Sequence, residues 1–106
     1  MSEGLDRVLF MALERWQEAS RVPLLMQGVT VTLHGPFEAL GMDPVYILHL
    51  DSDSREAEAS LFRGGTVLLA DLDKDSAEAQ TSSIKVASDD ELTALLANFT
   101  GHACRG

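Results

Sequence analysis

Pro44-Val45-Tyr46-Ile47-Leu48-His49-Leu50-Asp51-Ser52-Asp53 is the stretch whose reading decides the fold. A proline opens it, six apolar or strand-forming residues follow, and an acid-serine turn closes it, which is the composition of a β-strand. Tyr46, Leu48 and Leu50 share one parity, while Val45 and Ile47 share the other. That pattern predicts a central strand with protein on both faces, and the rest of the chain is expected to cover it.

Upstream, Leu5, Val8, Leu9, Ala12, Leu13, Trp16 and Ala19 recur at the spacing that gathers apolar residues onto one face of a helix. Ser2 is the expected cap, Pro23 the expected end, and Trp16 the expected core anchor. Phe10 and Met11 fall off the stripe and are candidates for contact with a partner. Val29, Val31 and Leu33 then alternate with Thr30, Thr32 and His34, the mark of a half-buried strand whose wet face carries the threonines and His34. Gly35-Pro36, Gly41 and Asp43-Pro44 punctuate a loop of about ten residues, long for a connection.

Downstream, Asp51-Ser52-Asp53-Ser54 reads as a turn, because short acids and serines bond back to nearby amides. Ala57, Ala59 and Leu61 alternate with Glu58, Ser60 and Phe62, which favours a strand over the competing helical reading of Arg55 to Phe62 that its alanines and glutamates allow, and Thr66-Val67-Leu68-Leu69-Ala70 is strand-like. Arg63-Gly64-Gly65-Thr66 between them reads as a hairpin turn, since paired glycines supply the positive φ that a tight turn needs. Asp71 to Ala79 is expected to be an acid-rich turn and Ser83-Ile84-Lys85-Val86 a short last strand. Ser88-Asp89-Asp90-Glu91 matches a capping box, Leu92, Leu95, Leu96 and Phe99 form the stripe of a closing helix, and Gly101 is placed to end it, with a loose tail beyond. The pattern therefore predicts an α+β fold: an antiparallel meander of about five strands with an amino-terminal and a carboxy-terminal helix packed on it. At 106 residues, one domain over 1–106 is expected.

Lysine and arginine number 8 against 17 aspartate and glutamate, a formal net charge of −9. That balance repels nucleic acid and anionic lipid and favours a basic partner. Cys104 is the only cysteine, so neither an intramolecular disulfide nor a multi-cysteine metal site forms. The acidic amino end is unlike a secretory signal, and no run approaches a bilayer span. A cytoplasmic protein without nucleic-acid or membrane partners is expected.

Asp71-x-Asp73-x-Asp75 imitates the start of a calcium loop, but Ser76 stands where the sharp turn wants glycine and Ser82 where the bidentate acid belongs. His34, His49 and His102 fall on separate elements, and Cys104 lies in the tail, so no nucleophile with a base and no zinc set emerges. No phosphate-cradling glycine motif and no nucleophile-elbow motif occurs. The expectation is a protein that is not an enzyme and holds no cofactor or metal. Charge is the more informative feature. Between Asp51 and Glu91 eleven acids face four bases, so that segment carries seven of the nine excess negative charges. On a meander Asp51, Asp53, Asp71, Asp73 and Asp75 would fall at strand ends and form a negative rim, with Glu56 and Glu58 beside it. These seven are the candidate partner-binding residues, because such a rim steers a basic protein.

Trp16 in an opening helix, Pro44-x-Tyr46 leading to Leu50-Asp51-x-Asp53, Ala57 and Ala59 before Phe62-x-Gly64, an acidic turn with Ser76 and Glu78, then Ser88-x-x-Glu91-Leu92 and Phe99: this order resembles the TriTu-like immunity proteins of bacterial polymorphic toxin systems. The likeness spans Trp16 to Phe99. It departs where relatives often carry tryptophan and this chain has Phe62, and where their Ser-Gly-Glu turn appears as Ser76-Ala77-Glu78. The resemblance implies an antitoxin-like protein that binds and occludes a cognate toxin, itself similar to an ADP-ribosyltransferase acting on elongation factor Tu. The competing reading of a small acidic α+β chain is a secretion chaperone or adaptor, which binds an extended segment of an effector over apolar grooves.

Overall fold

A computed structural model describes residues 2–38 and 44–104 of the chain. Helix α1 (Ser2–Met26) leads into strands β1 (Thr30–His34), β2 (Tyr46–Asp51), β3 (Arg55–Leu61), β4 (Thr66–Asp73) and β5 (Ala79–Lys85), and helix α2 (Asp89–Cys104) closes the fold. The strands form one antiparallel meander in the order β1-β2-β3-β4-β5, which is the α+β arrangement that the alternation patterns predict. Side chains of residues 1–3 and 102–106, and all of 39–43, lie outside the described residues. The expected Ser2 cap, the contacts of His102 and Cys104, and half of the 35–44 loop lie there too. No described helix is long and apolar enough to cross a membrane.

Both helices cover one face of the sheet. Val31, Leu48, Leu50, Ala57, Ala59, Leu61, Val67 and Leu69 point to that face and are buried against Leu9, Ala12 and Leu13 of α1 and Leu92, Leu96 and Phe99 of α2. The cross-strand register builds the layer in rows: Val31 opposes Leu50 and Leu50 opposes Ala57, while Leu33, Leu48, Ala59 and Leu69 form the next row. Alanines on β3 leave room for the helices, and leucines on its neighbours fill the sides. β2 is therefore not the central strand covered on both faces. It lies second in the order, β3 holds the middle, and Ile47 and His49 on its outer face are only half-buried.

Helix α1 departs from the expected stripe in phase and in length. Leu5, Leu9, Ala12, Leu13 and Trp16 do pack inward, Trp16 only partly, but Val8 and Ala19 are exposed and Asp6 is buried. Phe10 is not a free contact residue: its ring meets Tyr46 edge to face, centroids 5.5 Å apart. Turning the helix to bury Asp6 and Phe10 swings Val8 and Met11 outward. The helix also runs through Pro23 to Met26. Pro23 sits in the last turn, where its missing N–H costs one bond near exposed Ala19, and burial of Leu24 offsets it. Val29 N–H then bonds the Leu24 carbonyl and turns the chain into β1.

The hairpins hold the register. Gly64 and Gly65 both have positive φ, and the Gly65 carbonyl accepts the Val86 N–H at 2.8 Å, pinning the β3–β4 turn to the chain entering α2. The expected acidic turn is shorter than 71–79. β4 continues through Asp73 because Arg55 pairs with it in the ladder, and β5 begins at Ala79, well before Ser83. Ladder bonds from β3 outweigh the low strand preference of aspartate. At α2 the Ser88 hydroxyl accepts from Glu91 N–H at 3.2 Å, while the Glu91 carboxylate takes Ala87 N–H at 2.7 Å, one residue before the usual partner of a capping box. The helix does not stop at Gly101 but reaches Cys104, with the buried Thr100 hydroxyl bonding back to the Leu96 carbonyl.

Candidate acidic interface

The β2–β3 and β4–β5 turns lie side by side at one end of the sheet, joined by Lys74 N–H to the Ser54 carbonyl at 2.9 Å. Residues 51–56 and 71–78 bring seven acids there (Asp51, Asp53, Glu56, Asp71, Asp73, Asp75, Glu78) against Arg55 and Lys74 alone. The strand pleat then divides them. Asp71 and Asp73 point to the same face as the helices, and Arg55 joins them: its guanidinium lies 2.9 Å from Asp71 and 3.9 Å from Asp73. The Arg55 Nε is buried and finds no acceptor among the described residues. A cleft of about 140 Å³ lined by Arg55, Asp71, Asp73, Glu78 and Gln80 opens at this point.

Asp51, Glu56 and Glu58 point to the open face. Lys74 Nζ donates to Asp51 at 2.7 Å and to the Ser52 carbonyl at 2.8 Å, bridging the two turns. That hydrogen bond, with the fields of Asp51, Glu56 and Asp53, holds the Lys74 ammonium above its ordinary pKa. Glu56 meets His49 Nε2 at 3.0 Å, a contact that alternation alone does not reveal because it joins residues diagonal to each other across a hairpin. Asp53 and Asp75 are exposed at the turn tips, where Asp73 Oδ1 accepts the Asp75 N–H at 2.9 Å. Glu58 stands apart, inside β3 and exposed between His49 and Ala70. With Glu56 it walls a shallow trough of about 230 Å³ whose floor is Ala70 and Leu72 and whose far wall is Thr81.

The expected rim is therefore a split one. Asp51, Asp53, Asp73 and Asp75 do gather at one end, Asp71 is held by Arg55 on the helix side, and Glu56 and Glu58 extend the negative charge along the open face. Among the described residues no group of three histidine, cysteine or acidic side chains is placed to hold a metal ion. An exposed acidic end with an apolar-floored trough can attract and seat basic side chains, since lysine and arginine lay their stems on apolar surface and keep their heads by a carboxylate.

Fold and site together define a small α+β meander with both helices on one sheet face and an acidic surface at one end. Comparison with family models, with curated proteins and with solved structures gave no match.

Proposed function

We propose that this chain is an immunity protein that binds a cognate bacterial toxin in the cytoplasm and neutralises it by occlusion, without catalysis of its own. The toxin of this reading is an ADP-ribosyltransferase acting on elongation factor Tu. The motif order from Trp16 to Phe99 supports it, and so does one backbone detail. Ala77 holds φ at 59°, a conformation in which glycine is at home, and it occupies the place where the resembled family carries the glycine of its Ser-Gly-Glu turn. The observation that carries the proposal is the acidic end itself: seven acids against two bases on two adjoining turns, a surface suited to the basic groove of an enzyme that handles an anionic nucleotide.

The test is association of the purified chain with the folded toxic domain. Reversing Asp51, Asp53, Asp73 and Asp75 to lysine is expected to slow association about tenfold or more at low salt and to flatten its dependence on ionic strength. Unchanged kinetics would remove this end from the interface. Binding only to an unfolded or extended effector segment would instead support the secretion-chaperone reading.

A further inference from the structure

Five of the eight large apolar side chains left exposed among the described residues lie on α1: Val8 (44%), Met11 (47%), Val22 (62%), Leu25 (60%) and Met26 (84%). At 3.6 residues per turn they share one face, opposite the face on which Leu9, Leu13 and Leu24 bury themselves. Val8, Met11, Val22 and Leu25, with Arg15 and Glu18 between them, occupy positions 8, 11, 15, 18, 22 and 25. Alternating steps of three and four residues make the a and d seam of a coiled coil.

The series reads the same from either end. Reversed about the midpoint between Trp16 and Gln17, position 8 falls on 25, 11 on 22 and 15 on 18. An antiparallel copy of the helix would therefore set Val8 against Leu25, Met11 against Val22, and Arg15 against Glu18, twice over. The two charges that interrupt the apolar face are thus the ones that a second copy complements. Arg15 remains available: its side chain is 65% exposed, and its neighbour in its own chain, Asp89, is 3.8 Å away. Charge on the whole helix favours the same occupant. α1 carries Glu3, Asp6, Glu14 and Glu18 against Arg7, Arg15 and Arg21, a net of −1 out of the chain's −9, so two copies meeting here avoid the acidic end.

We infer that the outer face of α1 is a homodimer interface. Two copies pack antiparallel about a two-fold axis, with Val8, Met11, Val22 and Leu25 as the seam and a pair of Arg15–Glu18 ion pairs setting its register. The seam spans about 26 Å at 1.5 Å per residue. Such an isologous contact closes on itself and leaves the acidic turns of both copies free. The inference stands independently of the toxin reading.

Sedimentation equilibrium of the full chain tests it. The mass is expected to rise with concentration from 11.5 kDa toward twice that value. Met11→Glu with Val22→Glu, both at exposed sites, is expected to keep the helical and strand signal while weakening self-association about 100-fold or more. Arg15→Glu alone, or Glu18→Arg alone, sets like charges opposite each other and should weaken it about tenfold, and the double exchange should restore it. A monomer at every concentration up to about 1 mM, the weak limit of specific association, overturns the inference. So does a dimer indifferent to Met11→Glu with Val22→Glu, or a double exchange no better than the single ones.

Discussion

Asp6→Ala tests how the helix layer is fastened to the sheet. Asp6 is 5% exposed, and its Oδ1 accepts the Gly64 N–H at 2.7 Å while its Oδ2 lies 4.0 Å from the Arg63 guanidinium. One carboxylate thus ties the first turn of α1 to the tip of the β3–β4 hairpin, across 58 residues of chain. A hydrogen bond to a charged acceptor contributes about 1.5 to 3 kcal/mol, and its loss also leaves a turn N–H without an acceptor. The better helix propensity of alanine returns about 0.5 kcal/mol. The expected net loss is about 2 kcal/mol, which moves a urea midpoint down by about 1 M at the slope usual for small domains. Asp6→Asn keeps a carbonyl acceptor and should lose about half as much. If Asp6→Ala unfolds within about 0.5 kcal/mol of the parent, the tie contributes nothing and the reasoning fails.

Three further outcomes follow from the same geometry. Gly65→Ala places its Cβ against the Val86 carbonyl at a φ of +91°, whereas Gly64→Ala at +87° meets open space, so the first should cost about 2 kcal/mol more than the second in denaturant melts; equal costs would contradict the packing described. Ala77→Gly relieves a left-handed backbone and should raise stability by about 0.5 kcal/mol, the strain relieved exceeding the entropy cost of glycine; a loss would argue against the turn geometry. Tyr46, the only tyrosine, has its hydroxyl pushed up to about 12 by burial, by its hydrogen bond to Glu14 and by the Glu14 charge. Because the folded value lies above the unfolded one near 10, this contribution is complete below pH 10 and is lost as pH rises from 10 to 12. A phenolate absorbance titration of the native protein should show it, and ordinary titration near 10 would refute it.

Much of the fold was legible because local and global preferences agree. The alternation Val29 to His34, the glycine pair at 64–65 and the Ser88–Glu91 cap each state their own conformation, and neighbours in sequence pair in space throughout a meander. What was illegible depended on long-range partners. The phase of α1 is set by Asp6 reaching Gly64 and Phe10 reaching Tyr46, neither of which periodicity encodes. Asp71 and Asp73 read as turn residues until Arg55 draws them into β4. The open outer face of β2 was hidden because Ile47 looks like core in a strand that is only half covered, whereas Val45, just ahead of the strand, is buried. At the acidic end the residue types were visible, but the split across two faces and the neutralising roles of Arg55 and Lys74 emerge only with the register.

The immunity reading is tested most directly by co-expressing this chain in bacteria with the toxic domain encoded beside it, scoring survival and then recovering the complex by co-purification. The account predicts rescue of growth and a stable complex with the folded toxin. Death of the cells despite normal accumulation of the chain, with no complex recovered, would contradict it.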